Sequence, residues 1–223
     1  MLWDLSNETK PTLLKGSGKP VTAVDFTADG KNLISASQDG TIRFWDIASG
    51  QTLWTIQAYN KPTAFGVRAM QLTPNGKILV SAGYNSIGVW NMATQHLIRE
   101  IRTDNDATFC SIAISPDNQM LAAGGKNIWI WNLNTGEKLF QMQPTSESFD
   151  NVTHNVTFSP NGQILASANG KDIHLWKATT GQEIGRFIGH QFVDEALFFT
   201  PDGKALVSGS ADDTLLIWEM THF

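Results

Sequence analysis

The sequence predicts an all-β protein made of about five four-stranded antiparallel sheets, and three recurring features predict it. Tryptophans stand at Trp3, Trp45, Trp90, Trp131, Trp176 and Trp218, separated by 42, 45, 41, 45 and 42 residues, a period that marks a repeat architecture. Before each of the last five lies a turn cluster inside an apolar run: FTADGKNLISAS, LTPNGKILVSAG, ISPDNQMLAAGG, FSPNGQILASAN and FTPDGKALVSGS. After the Trp comes a second turn, as in ASGQT, ATQH, NTGEK and TTGQE, and then a short strand such as TLWTIQ, LIREI, KLFQM or IGRFI.

Each unit therefore reads as four strands, a to d. The Pro, Asp, Asn and Gly of the first cluster supply the a–b turn, and the apolar segments on either side have lengths suited to strands. Strand c ends at the Trp, within LWDL, FWDI, VWNM, IWNL, LWKA and IWEM. Strand d follows the second turn. The segments break at Gly or Pro about every 8 to 12 residues, so a helical solenoid of similar period is rejected. One such sheet cannot bury both faces alone, and radial stacking of sheets gives a β-propeller. The boundaries are a partial unit at 1–16 and repeats at about 17–57, 58–102, 103–143, 144–188 and 189–223, all within one propeller domain spanning 1–223.

The chain has 223 residues, of which 41% are hydrophobic, ample for a core, and no low-complexity tract interrupts it. A net charge of −5 argues against a protein that grips phosphate backbones, so nucleic acid is not an expected partner. No apolar stretch approaches membrane-spanning length, and the chain opens on MLWDL, which predicts no membrane association, no export and a cytoplasmic location. The single cysteine, Cys110, excludes an intrachain disulfide and a multi-Cys zinc site, and no metal or cofactor is expected. Three N-x-S/T sequons, at Asn7, Asn151 and Asn155, read as chance.

From Leu2 to Met220 the repeated turn clusters and strand-end tryptophans resemble the WD-repeat (WD40) β-propeller family, and the regularity of the units is similar to arrays in its bacterial members. The resemblance implies a buried hydrogen-bonded set in each complete blade, made of His, Ser, Asp and Trp. His190, Ser208, Asp212 and Trp218 match it in the last unit. The first unit keeps Ser35, Asp39 and Trp45 but has Ser17 at the His position, while Asn85, Asn127 and Asp172 stand near the Asp position of units two to four. His190 and the tryptophans are read as structural.

The a–b and c–d turns are nearly uniform, whereas the d–a segments KGSGKP, QAYNKPTAF, RTDNDATF, QPTSESFDNV and IGHQFVDE vary in length and character. Variable loops on a rigid scaffold point to the binding face. Counting back four residues from the aligned Phe26, Leu72, Ile114, Phe158 and Phe199 gives Thr22, Arg68, Cys110, His154 and Glu195, placed at the channel mouth. In the family such positions contact partner peptides, and the resemblance implies that use here. Tyr59, Lys61, Asp104, Asp106, Glu147, Phe149, Asp150 and Phe192 extend the list from the d–a loops. Carboxylates outnumber cations on it, which points to a basic peptide as partner.

The function expected is a non-catalytic protein- or peptide-binding scaffold. The alternative is a regulatory or sensor module of a longer protein with an effector domain such as an NTPase or kinase. A nucleophile, base and acid set of Cys110, His154 and Glu195 is set aside, because no oxyanion-type loop is visible. GSGKP fails as a phosphate loop: its glycine spacing is wrong, Pro20 replaces Ser or Thr, and a strand follows. The chain opens within a unit and ends after a strand c. This predicts either a five-sheet ring, in which Thr12–Lys15 supplies the fourth strand of the last sheet, or an open arc whose edge strands pair with a second chain.

Overall fold

The computed structural model describes residues 2, 11–16, 18–59, 66–103, 108–144, 152–192 and 194–221, with backbone only at 194 and 195. The described residues contain strands and turns but no helix, in two compact units, Met1–Glu100 and Ile101–Phe223. The first unit carries β1 (Val21–Phe26), β2 (Asn32–Ser37), β3 (Thr41–Asp46) and β4 (Thr52–Gln57) as one sheet. Its second sheet is β5 (Ala69–Leu72), β6 (Ile78–Ala82), β7 (Ser86–Asn91) and β8 (Leu97–Arg102).

The second unit opens with β9 (Ser111–Ile114), β10 (Met120–Gly124), β11 (Ile128–Asn132) and β12 (Lys138–Met142). Next come β13 (Thr153–Phe158), β14 (Ile164–Asn169), β15 (Asp172–Lys177) and β16 (Gln182–Ile188). A three-stranded sheet ends it, β17 (Asp194–Phe199), β18 (Ala205–Ser210) and β19 (Leu215–Glu219). Each sheet is an antiparallel meander in chain order, because its turns are too short for anything but hairpins.

One local device makes all five first hairpins. In sheet one the Thr27 hydroxyl donates to Asp29 at 2.7 Å, and the Lys31 N–H donates to the same carboxylate at 3.1 Å. Thr73 with Asn75, Ser115 with Asp117, Ser159 with Asn161 and Thr200 with Asp202 repeat it at 2.6–2.8 Å. The fourth turn residue lies in the left-handed region at Gly30, Gly76, Gly162 and Gly203, and there the third repeat uses Asn118 (φ 61°). Asn is the non-glycine residue that best tolerates this conformation, so ISPDN closes like FSPNG.

Within each unit the sheets stack face to face, first strands side by side. β1 lies beside β5, and β13 lies between β9 and β17. Ile34, Ala36, Ile42, Phe44 and Ile56 of sheet one share a core with Val67, Met70, Leu72, Leu79 and Trp90 of sheet two. In the second unit Ile128 and Ile130 pack with Val156, Phe158, Leu165 and Trp176, and Ile173 and Leu175 pack with Leu197 and Leu206. Burying a side chain of this size stabilises by about 1.5–3 kcal/mol, so these seams dominate the stability of the repeat.

Residues 11–16 differ from the sequence reading. Thr12 makes an isolated antiparallel bridge to Leu2, and residues 13–16 belong to no strand. The fourth strand assigned to Thr12–Lys15 is therefore not formed, and β17–β19 stands as a three-stranded sheet. No helix of the described residues is long and apolar enough to cross a membrane.

Candidate functional site

Five residues occupy one position at the start of the first strand of each sheet. In sheet one the pairing runs Val21 with Ser37 and then Ala23 with Ala36, leaving Thr22 as the extra residue of a β-bulge. The same shift makes His154 the extra residue between Thr153 and Asn155, and Glu195 the extra residue between Asp194 and Ala196. In sheets two and three the strands begin two residues later, and Arg68 and Cys110 precede them, with N–H bonds at 2.8 Å to Ala82 O and Gly124 O. A bulge interrupts side-chain alternation and re-aims the extra residue, which is why these positions escape the uniform apolar pattern of the strands.

Thr22, Arg68, Cys110 and His154 are half-buried. The Thr22 hydroxyl donates to Val67 O at 2.6 Å, which ties the start of β1 to the residue before Arg68. In the second unit Cys110, His154 and Glu195 begin neighbouring strands, and the Val156 N–H donates to the Ser111 hydroxyl at 3.2 Å. The side chain of Glu195 lies outside the described residues, as do Asp104, Phe149, Lys61, Asp106, Glu147 and Asp150. Phe192 is described and is strongly exposed.

Tyr59 is half-buried. Its ring packs on the core shared by the first two sheets, against Gly83, where an added Cβ would meet it at 2.9 Å. Its hydroxyl lies 3.2 Å from Ser81 O and 3.1 Å from Ser86 O, two carbonyls that accept from it. Burial pushes the phenol up to about 12. The sequence reading placed Tyr59 among the binding-face residues because it sits in a variable loop; what it lacked was Gly83, just after β6, which makes room for the ring.

In the last sheet His190, Ser208, Asp212 and Trp218 come together. The Trp218 indole N–H donates to Ser208 Oγ at 2.9 Å, and that oxygen lies 2.8 Å from His190 Nε2. The hydroxyl proton of Ser208 is then free to bond Nε2, which assigns the ring proton to Nδ1, 3.1 Å from Asp212 Oδ2. Thr214, then the Gln191 N–H, hold the Asp212 carboxyl far below the usual carboxylate range.

The other sheets fill the same space differently. Trp45, Trp90 and Trp176 donate to Ser35, Ser81 and Ser167 at 2.8, 3.0 and 2.8 Å. Sheet one pairs Asp39 with Arg43 at 3.0 Å. Sheet three has Ala123 at the Ser position and packs Phe109, Trp129 and Trp131 together instead. Sheet four buries Asp172 beside Arg186, and His174 Nδ1 lies 2.7 Å from Glu183. Asp172 pairing with Arg186 needs a contact between strands c and d that a search for His-to-Asp spacing does not see. Ser17 lies outside the described residues.

Among the described residues no group of three or more His, Cys, Asp or Glu side chains could hold a metal ion. The chain matches the WD domain, G-beta repeat family model at residues 8–46, 50–91, 96–132, 146–177 and 181–219. It belongs to the WD40 family. Among curated relatives, the Periodic tryptophan protein 2 homolog of Dictyostelium discoideum is 23% identical over 226 residues, covering 98% of this chain and 24% of that protein. The Serine-threonine kinase receptor-associated protein of Gallus gallus is 29% identical over 188 residues, covering 82% of this chain and 50% of that protein. The Small ribosomal subunit protein RACK1y of Oryza sativa subsp. japonica is 26% identical over 266 residues, covering 94% and 77%. The chain thus spans a quarter to a half of the first two relatives. A WD40 array is a β-propeller architecture that presents protein-interaction surfaces, and catalysis is not its general role.

Proposed function

We propose that this chain is a non-catalytic scaffold that binds a protein segment at the face where the first strand of each sheet begins. The observation that carries the reading is the set of five matching positions, bulged or just before the strand, which hold Thr22, Arg68, Cys110, His154 and Glu195 on an otherwise repetitive framework. The opposite turns repeat one formula and carry little specificity, whereas these five positions differ in size, charge and hydrogen-bonding capacity. The relatives named for receptor-associated and ribosomal proteins support a protein partner and a cytoplasmic setting.

The d–a segments add Asp104, Asp106, Glu147 and Asp150, and with Glu195 they favour a segment carrying Lys or Arg. Affinity capture with the intact chain tests this reading. Glu195→Lys combined with Phe149→Ala is expected to weaken capture by roughly tenfold or more, the scale of an interface hot spot. Substitutions at Asn75 or Asp117, in the uniform turns, are expected to leave it unchanged. Loss of capture in the turn variants with retention in the others would mean that the opposite face binds. A second reading, a sensor module of a longer protein with an effector domain, draws support from the 24% and 50% shares of the first relatives.

A further inference from the structure

Asn followed by Gly is the pair at which a polypeptide deamidates fastest, because glycine carries no side chain to shield the backbone nitrogen that attacks. The sequence holds it three times, at Asn75 and Gly76, Asn161 and Gly162, and Asn169 and Gly170. Asn169, which ends β14, and Gly170 are buried, whereas Asn75 and Asn161 lie exposed in the first hairpin turns of sheets two and four. Exposure alone would make both turns quick to convert.

The turns hold both reacting groups. Deamidation begins when the glycine nitrogen, its proton removed, forms a bond to the Asn Cγ. The bond from Cγ to the side-chain nitrogen breaks, and ammonia carries that nitrogen and the proton away. Water then opens the cyclic imide at one of its two carbonyls, leaving aspartate or, with the main chain routed through the side chain, isoaspartate. In sheet two the Gly76 N–H donates to Thr73 O at 2.8 Å, while Asn75 Oδ1 accepts from the Thr73 hydroxyl at 2.8 Å and the Lys77 N–H at 3.0 Å. In sheet four the Gly162 N–H donates to Ser159 O at 2.8 Å, while Asn161 Oδ1 accepts from the Ser159 hydroxyl at 2.7 Å and the Gln163 N–H at 3.0 Å. The proton that must leave is bonded, and the carbonyl that must swing onto the nitrogen is clamped from both sides of the turn.

We propose that Asn75 and Asn161 are latent deamidation sites: the folded turn blocks ring closure, and each converts only when its hairpin opens. An aspartate product fits the closed turn, since Asp29, Asp117 and Asp202 make the same pair of bonds in the other three sheets. An isoaspartate product does not fit, because it inserts a methylene into the main chain inside the turn that the bond from Gly76 to Thr73 closes. Isoaspartate is therefore a lasting record of opening. The two sites differ in support. An added Cβ at Gly162 would stand 3.5 Å from Pro116 in the turn of sheet three, and one at Gly203 would stand 3.6 Å from Pro160 in the same way. Sheet one has Ala28 at the proline position, and a Cβ at Gly76 would meet nothing within 4 Å among the described residues. The turn of Asn75 is the less buttressed and opens more readily.

Peptide mapping of the full chain by mass spectrometry, after long incubation at neutral pH both folded and in denaturing urea, tests the proposal. In urea Asn75 and Asn161 are expected to convert at similar rates. In the folded chain Asn75 is expected to convert at least about tenfold more slowly than in urea, and Asn161 more slowly still. Thr73→Ala removes the hydroxyl clamp and is expected to raise the Asn75 rate several-fold, with Asn161 in the same molecule reporting an intact fold. Thr73→Ser keeps the hydroxyl, as Ser115 and Ser159 do, and is expected to stay at the parent rate. Should Thr73→Ala not fold, the comparison of folded and denatured parent decides alone. The proposal is overturned if folded and denatured chains convert Asn75 at the same rate, or if the Ala and Ser variants convert alike.

Discussion

Asp212 shows how a single carboxylate holds a strand end and a histidine at once. Its Oδ2 accepts from the Gln191 N–H at 2.8 Å and faces His190 Nδ1 at 3.1 Å, while its Oδ1 accepts from the Thr214 N–H at 3.0 Å. These donors favour the ionised form, so the folded-state pKa falls well below that of the unfolded chain, about 3.9. The stabilisation is complete above that unfolded value and is lost as pH falls through the folded-state value. Melting temperatures measured from pH 5 downward are expected to fall less steeply in Asp212→Asn than in the parent protein. Asn85 presents a different case. It stands near the Asp position of the second sheet but adopts φ 60°, so its turn depends on tolerating the left-handed region. Asn85→Ala is expected to lower stability by about 1 kcal/mol, the cost of a Cβ in that region, and Asn85→Gly much less, as measured by denaturant unfolding.

The tryptophan that gives the sequence its period anchors strand c to strand b in four sheets through one Ser hydroxyl. In sheet four both Trp176 and Ser167 are buried, so Ser167→Ala leaves an indole N–H without an acceptor, and the expected loss is about 1–3 kcal/mol by urea unfolding. Close approach matters as much as hydrogen bonding. In sheet two the Trp90 indole lies over Gly88, where an added Cβ would stand 2.6 Å from Nε1. Gly88→Ala must displace a rigid, buried ring and is expected to cost about 1–3 kcal/mol by the same measurement. The corresponding residues Arg43, Trp129, His174 and Leu216 all carry side chains, so Gly88 is required only by the indole of its own sheet.

For the whole molecule, stability should follow how many neighbours each sheet has. β19 ends a three-stranded sheet and exposes Leu215 and Ile217, whereas β15 has a partner on each side and buries Ile173 and Leu175. Local opening should therefore begin at β19. Hydrogen exchange followed by mass spectrometry is expected to show its amides exchanging before those of β15 and β11. Comparable protection in β19 at the lowest protein concentration would mean that its edge is covered within one chain.

The repeat, the turns and the strand order were legible in the residues because each is fixed within a few positions of chain. An Asp or Asn two residues after a Thr or Ser makes the turn wherever it stands, and a Trp at a fixed period marks the end of a strand. The start of each first strand was legible too, since counting back from an aligned apolar residue reached the bulges at Thr22, His154 and Glu195. Tertiary structure alone decided which residues fill the space around each Trp. Tyr59 in a loop, Arg186 on a fourth strand and Phe109 before a first strand meet their partners across strands, at separations that local pattern does not encode. Packing also decided that residues 13–16 form no strand. Their pattern is written in the sequence, but whether a strand forms depends on what lies beside them.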